Sequence, residues 1–415
     1  MKKLLLTLTC SSLVVLTSIG QQTEKCATHT KHNERLATDA NYAQAMGAAQ
    51  SLAKKNLNAP KEKSILTIPV VVHVVYKNAA QNISLAQVQS QIDVLNEDYR
   101  GVNIATLSPD FDSLKADIEV EFCLATVDPS GNPTNGITRT SSTGGTFLGF
   151  FSPFNDDIKY DSLGGKNAWP TDKYLNLWVG EMFPGLLGYA QFPGDPKVNA
   201  DGVAITTTAF GTTGNVDPIS AQGRTGTHEV GHWMGLYHIW GDEDTCDGSD
   251  TIPDTPNATE ASNQGCEITR NSCSNEDPFW GVHDPNDMVQ NYMDYSSDSC
   301  MALFTKGQKA RMWSFLSTDP RRLGLAISNG CAGLGVNEEN QANFSVFPNP
   351  SATSFVVESF TDLETLIIYN AFGQDVMKVE TSGLKTTVNI SELEKGIYFV
   401  KAKKGNSTAV RFVKM

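Results

Sequence analysis

The chain has 415 residues, too many for one core of ordinary size and enough for two or three compact units. Forty per cent of residues are apolar and 19% charged, which excludes a disordered or low-complexity protein. A net charge of −14 and a pI near 5.0 exclude the basic face that a nucleic-acid binder carries.

Lys2 and Lys3 precede an apolar run from Leu4 to Ile19 that closes at Gly20. A short basic region, an apolar stretch of this size and small residues at its end describe a secretory signal peptide over 1–20. The run is too short and too rich in Ser and Thr for a membrane span, and Cys10 within it is expected to be lost on processing. Seven cysteines remain, Cys26, Cys123, Cys246, Cys266, Cys273, Cys300 and Cys331, and an oxidising compartment favours pairing them. An odd count leaves one over.

Residues 21–62 are polar, with few large apolar side chains, and read as a propeptide or flexible leader. A catalytic unit is expected over 63–333. Ile65 to Tyr76 is a β-branched run and predicts a buried strand. Leu85, Val88, Ile92, Leu95 and Tyr99 recur at helical spacing behind Ser84, predicting a capped amphipathic helix over 84–99. Further strands are predicted at 118–127, 174–181 and 202–206, with a helix at 223–234. This alternation points to an α/β half-domain. Residues 242–290 carry no periodicity and many Asp, Asn, Pro and Cys, so crosslinks or ions must order them. A last helix is predicted at 306–316. A linker at 334–341 leads to 342–415, where about seven short strands separated by turn residues describe a small β-sandwich. The fold class is therefore α+β, with an all-β appendage.

Residues 228–238 read HEVGHWMGLYH. On a helix His228 and His232 share one face, about 6 Å apart along the axis, and both can reach one tetrahedral zinc. Gly235 permits a turn that brings His238 to the same metal. Three protein ligands leave a position for water, and Glu229 can act as general base toward that water. Only seven histidines occur in the chain, and three of them fall at these positions. The chemistry expected is zinc-dependent hydrolysis of peptide bonds. An adhesin with a vestigial zinc site and a zinc amidase acting on a non-protein substrate are the alternatives.

This segment resembles the extended motif of the metzincin proteases, whose chains continue to a methionine turn. Asn291-Tyr292-Met293-Asp294-Tyr295 matches that turn. The resemblance makes Met293 the floor beneath the ligands and Tyr295 the hydroxyl that bonds the tetrahedral intermediate. Ala168-Trp169, LLGYAQFPG at 186–194, DGVAI at 201–205 and Asp254-Thr255-Pro256 are similar to the pappalysin family, in particular its bacterial members. That likeness covers roughly 65–325. It implies a cleft between an upper α/β half and an irregular lower half, and disulfides Cys246–Cys273 and Cys266–Cys300. It also implies structural calcium at Glu243, Asp254 and Thr259, and an Asp298 that selects a basic residue after the cut. Lys25-Cys26-Ala27-Thr28 loosely resembles the family's cysteine switch, in which Cys26 fills the fourth zinc position of a latent zymogen. Cys123 and Cys331 would then form a third pair.

The C-terminal module resembles the sorting domain of the type IX secretion system, on Phe347-Pro348-Asn349-Pro350, Ile368-Tyr369-Asn370, Gly396-Ile397-Tyr398 and the Lys414-Met415 end. It implies export through the periplasm and outer membrane to the cell surface or medium. The partners expected are protein or peptide substrates and the secretion machinery, with no nucleic acid and no transmembrane segment.

Overall fold

The computed structural model describes residues 25–57, 65–331 and 344–415, apart from 104, 143–155, 264, 276–277, 360–362, 371–373, 382 and 404–408. The expected signal peptide and the 334–341 linker lie outside these residues. Two compact units divide at 332/333.

The first unit begins with two helices, α1 (Thr28–Thr38) and α2 (Ala40–Lys55), joined at Asp39. Asp39 caps α2 by accepting from the backbone N–H groups of Asn41 and Tyr42. Here the sequence expectation of a flexible leader is corrected. Its alanine content favours helix, and Tyr42 and Met46 bury against Phe192 and Tyr237 of the catalytic unit. Few apolar residues suffice when the partner surface supplies the rest.

β1 (Leu66–Tyr76) is the centre of a six-stranded sheet of order β2-β1-β4-β6-β5, with β3 also on β1. β2 (Val120–Leu124) pairs with the first half of β1 and β3 (Ile137–Ser141) with the second, both parallel. β4 (Leu175–Gly180) and β6 (Val203–Thr206) continue the parallel sheet. The edge strand β5 (Gly188–Ala190) runs antiparallel to β6. Val70, Val72 and Val74 of β1 face the main core with Val88, Ile92 and Leu95 of α3 (Leu85–Tyr99). Val71 and Val75 pack on the opposite face with Tyr174 and Trp178. Both faces are covered, which is why β1 reads as a nearly continuous apolar run.

α4 (Arg224–Trp233) lies under the sheet with Val230 and Trp233 in the same core. Between α4 and α5 (Lys306–Leu316) the described residues form no regular helix or strand. Disulfides Cys246–Cys273 and Cys266–Cys300 crosslink this lower region, and Cys123–Cys331 ties β2 to the end of the unit. α5 opens with a capping box between Thr305 and Gln308, and a short α6 (Pro320–Leu325) follows.

The second unit is a β-sandwich. One sheet has the order β10-β9-β12-β13 and the other β11-β8-β7. The strands are β7 (Phe344–Phe347), β8 (Ser354–Ser359), β9 (Thr365–Asn370), β10 (Asp375–Glu380), β11 (Lys385–Asn389), β12 (Gly396–Ala402) and β13 (Val410–Lys414). Phe344, Phe355, Ile368, Val400 and Phe412 fill the space between the sheets. The seven strands agree with the about seven expected from the sequence.

Candidate metal centre and substrate cleft

α4 carries His228 and His232 one turn apart, so both imidazoles leave the same face. The helix stops because Gly235 takes φ +97°, a left-handed turn. A Cβ there would also lie 2.2 Å from the Phe315 ring, so the reversal that returns His238 requires glycine.

Each imidazole is held from behind through Nδ1. His228 Nδ1 donates to Tyr292 O at 2.8 Å, His232 Nδ1 to Leu236 O at 2.7 Å and His238 Nδ1 to Asp242 Oδ1 at 2.6 Å. These bonds fix one tautomer, with the proton on Nδ1 and a lone pair on Nε2. The three Nε2 atoms stand 3.1–3.2 Å from one another. Three lone pairs cannot hydrogen-bond among themselves, and at that spacing they repel. They do match the edge of a tetrahedron with zinc–nitrogen bonds of about 2.0–2.1 Å. Burial also keeps the rings neutral, pushing His228 down to about 3 and His232 well below the usual range. The donor set therefore fits zinc.

Cys26 completes the set. Its Sγ and the three histidine nitrogens lie within 4.8 Å of one another, the converging group of His, Cys, Asp and Glu found among the described residues. Burial and the Glu229 carboxylate push the Cys26 thiol well up, so a thiolate here needs a cation beside it. Residues 25–27 run beside β5, with Ala27 N–H donating to Gly188 O at 3.1 Å and Leu187 N–H to Lys25 O at 2.8 Å. The bridge between Cys26 and Gly188 is parallel.

Glu229 is buried (1% exposed), and its Oε2 accepts from Thr28 Oγ1 at 3.0 Å. Met293 is fully buried beneath α4; a Cβ on Gly231 would meet its sulfur at 2.5 Å. The Tyr295 ring lies 4.9 Å from that of His238, and its hydroxyl donates to Cys26 O at 3.3 Å. Beside the centre opens a pocket lined by Lys25, Leu187, His228, Glu229, Asp294 and Asp298. Asp298 Oδ2 accepts from the backbone N–H groups of Gln222 and Arg224, and burial pushes its carboxyl up. Ser299 instead points its hydroxyl at Ser297. Lys25 enters this pocket with Nζ donating to Tyr295 O at 2.7 Å.

The catalytic residues expected from sequence thus meet at one point, and the calcium set does not. Asp254 spends both oxygens on α5, accepting from Thr305 Oγ1 and Gly307 N–H, while Glu243 is exposed. Among the described residues no hydrogen bond or ion pair joins Glu243, Asp254 and Thr259, and calcium finds no support. Three residues escaped the sequence reading. Asp242 follows His238 by four positions, and its carboxylate is the partner a metal-bound imidazole calls for. Thr28 and Lys25 flank Cys26 and reach their partners across 201 and 270 residues of chain, so their roles left no local signal.

Residues 158–317 match the peptidase family described as pregnancy-associated plasma protein-A, and 345–414 match the secretion system C-terminal sorting domain. A promirolysin mutant from Tannerella forsythia is 43% identical, with a TM-score of 0.66, covering 73% of this chain and 97% of its own. Mature mirolysin from the same organism, in complex with a cleaved peptide, is 47% identical at a TM-score of 0.59, covering 66% and 100%. An extracellular metalloprotease of Pyricularia oryzae is 32% identical over 66% of this chain and 82% of its own. The chain belongs to the pappalysin family of metalloproteases. This metalloendopeptidase carries a type IX sorting domain and is a secreted or cell-surface protein. No described helix is long and apolar enough to cross a membrane.

Proposed function

We propose that the protease holds one zinc ion with His228, His232 and His238, and hydrolyses peptide bonds with Glu229 as general base. The convergence of three buried Nε2 lone pairs within 3.2 Å carries this reading. Zinc bound there supplies Lewis acidity, polarising the scissile carbonyl and bringing the pKa of a coordinated water to about 7. Glu229 takes the proton from the attacking water and hands it to the amine nitrogen as the C–N bond breaks. The Tyr295 hydroxyl donates to the oxygen on which negative charge develops. β5 offers the substrate the ladder groups that residues 25–27 use in this structure.

The pocket beside Glu229 takes a basic side chain from the residue after the cut. Lys25 already places an ammonium there, near the Asp294 and Asp298 carboxylates. The chain is made latent: Cys26 occupies the fourth zinc position and Thr28 occupies the base. Residues 1–20 are removed on export, 21–62 on activation, and 63–333 form the catalytic unit ahead of the 334–341 linker and the 342–415 sorting domain. Family membership sets aside the adhesin and amidase alternatives.

Glu229→Gln tests the mechanism: zinc content stays at one per chain while casein cleavage falls by at least a hundredfold. Retained cleavage would remove Glu229 from its role. Cleavage-site profiling of the matured enzyme beside Asp298→Ala tests specificity, and an unchanged preference for Arg or Lys in the variant would remove Asp298.

A further inference from the structure

A second cation is bound on the other side of the metal centre. Arg35, on α1, forms a two-pronged ion pair with Asp195 of the catalytic unit, Nη1 to Oδ2 and Nη2 to Oδ1, the latter at 3.0 Å. The Asp195 side chain is 2% exposed. Its Oδ1 also accepts from the backbone N–H of Lys197 at 2.8 Å, which fixes the carboxylate in the loop after β5. One turn earlier on α1, Lys31 lies over the Tyr189 ring at 4.2 Å and pairs with Asp156 at 3.0 Å.

Arg321, Arg322 and Lys159 of the catalytic unit direct their ion pairs to other carboxylates, although Arg321 and Lys159 feel the Asp195 charge and Lys197 lines the same pocket. Arg321 and Arg322 pair with Asp201, and Arg321 also with Asp319. Lys159 donates to Ala200 O and faces Asp156. Among the described residues the ion partner of Asp195 is Arg35. Departure of the leader removes that guanidinium and leaves a carboxylate, still oriented by the Lys197 N–H, whose geometry suits a planar, forked donor.

We propose that Asp195 forms a second specificity subsite of the mature protease, taking an arginine side chain from the part of the substrate before the cut. The polarity rests on the proposed basic preference at Asp298. The leader passes from Lys25 in the Asp298 pocket, through Cys26 at the metal, to Arg35 at Asp195. A substrate whose residue after the cut fills the Asp298 pocket runs in the opposite direction. It then pairs antiparallel to β5 and carries its earlier residues toward Asp195. Phe192 spans the interval: its ring lies 5.6 Å from that of His232 and 5.0 Å from that of His32, three residues before Arg35.

Helical rise sets the distance. Two steps outside the helix from Cys26 to Thr28, and seven helical steps at about 1.5 Å each to Arg35, together cover about 13–17 Å. An extended substrate covers that in about four or five residues at about 3.3 Å each. The subsite therefore reads the third, fourth or fifth residue before the cut.

The test uses zinc-loaded enzyme matured from the full chain and fluorogenic peptides with arginine fixed after the cut. Arginine or glutamine is placed in turn at the third, fourth and fifth preceding positions, and a second series varies residues on the other side of the cut. At one preceding position the wild-type kcat/KM for the arginine peptide exceeds that for glutamine by about tenfold. The ratio drops toward one in Asp195→Asn, is retained in part in Asp195→Glu, and shrinks as salt is raised. No arginine advantage at any of the three positions, or the same ratio in Asp195→Asn, overturns the subsite. The wild-type ratio and its salt response decide the matter even where the variant folds poorly. An arginine advantage found only after the cut overturns the polarity. Loss of the basic preference after the cut, with the Asp195-dependent preference intact, overturns the reading of Asp298 alone.

Discussion

Thr28 Oγ1 donates a hydrogen bond of 3.0 Å to Glu229 Oε2, so the leader occupies the carboxylate proposed to act as base. The same hydroxyl accepts from Ala190 N–H at 2.8 Å, which locks it to the cleft edge. Two residues back, Cys26 stands at the metal centre. The proposed latency would thus rest on two contacts, one at the metal centre and one at the base.

Removing the sulfur should release activity without proteolysis. Cys26→Ala in the unprocessed chain is expected to cleave a small peptide at least tenfold faster than the unprocessed wild type. Cys26→Ala with Thr28→Val should be faster still. Equal rates for wild type and Cys26→Ala would show that bulk alone blocks the cleft.

Asp242 orients His238 and, through its other oxygen, holds His29 of α1 at 2.8 Å. Its backbone sits at φ +58°, a conformation that asparagine tolerates. Asp242→Asn keeps the shape and removes the charge. Zinc affinity should fall by about 10–100-fold, the range for partners behind a ligating imidazole. Competition with a chromogenic chelator measures it, and an unchanged affinity would reduce Asp242 to a latch for the leader.

Gly231 lies over the Met293 sulfur, where a new Cβ would sit at 2.5 Å. Gly231→Ala should destabilise the catalytic unit by about 1–3 kcal/mol through overpacking. A companion Met293→Ala change should recover part of that loss, because the crowded atom is gone. Thermal denaturation of the two single variants and the double variant gives the coupling.

Buried His73 sets an acid limit. On β1 its ring touches Thr138 Oγ1 at 2.7 Å and Asn176 Oδ1 at 3.0 Å, and burial lowers its pKa to about 4. In the unfolded chain the ring protonates near 6.5, so the unfolded state binds more protons between about 6.5 and 4. Stability present above that window is lost as pH falls through it, by about 3 kcal/mol. His73→Gln should flatten this part of the stability profile relative to wild type. Parallel profiles would assign the acid loss elsewhere.

Much of the proposed site was legible because its signal is local. His228, Glu229, His232 and His238 fall within eleven residues on one helix and one turn. α3 declared itself through periodicity and its Ser84 cap, and α5 has the predicted bounds. β5 has only three residues and draws its order from β6, so no run of sequence announced it. The leader helices were hidden for a related reason: Phe192 and Tyr237, far along the chain, complete their apolar face. Spacing could not decide the pairing of Cys246, Cys266, Cys273 and Cys300; family likeness did, and the structure has those pairs. The same likeness put Asp254 at a calcium site, where the structure gives it to α5.

The ligand set itself is most directly read by X-ray absorption at the zinc edge, on the unprocessed chain and again after maturation. The account predicts one zinc per chain with three nitrogens at about 2.0–2.1 Å and one sulfur at about 2.3 Å, the sulfur giving way to oxygen on maturation. A full complement of zinc with no sulfur in the unprocessed chain would contradict the role of Cys26. Active enzyme without stoichiometric zinc would contradict the role of all three histidines.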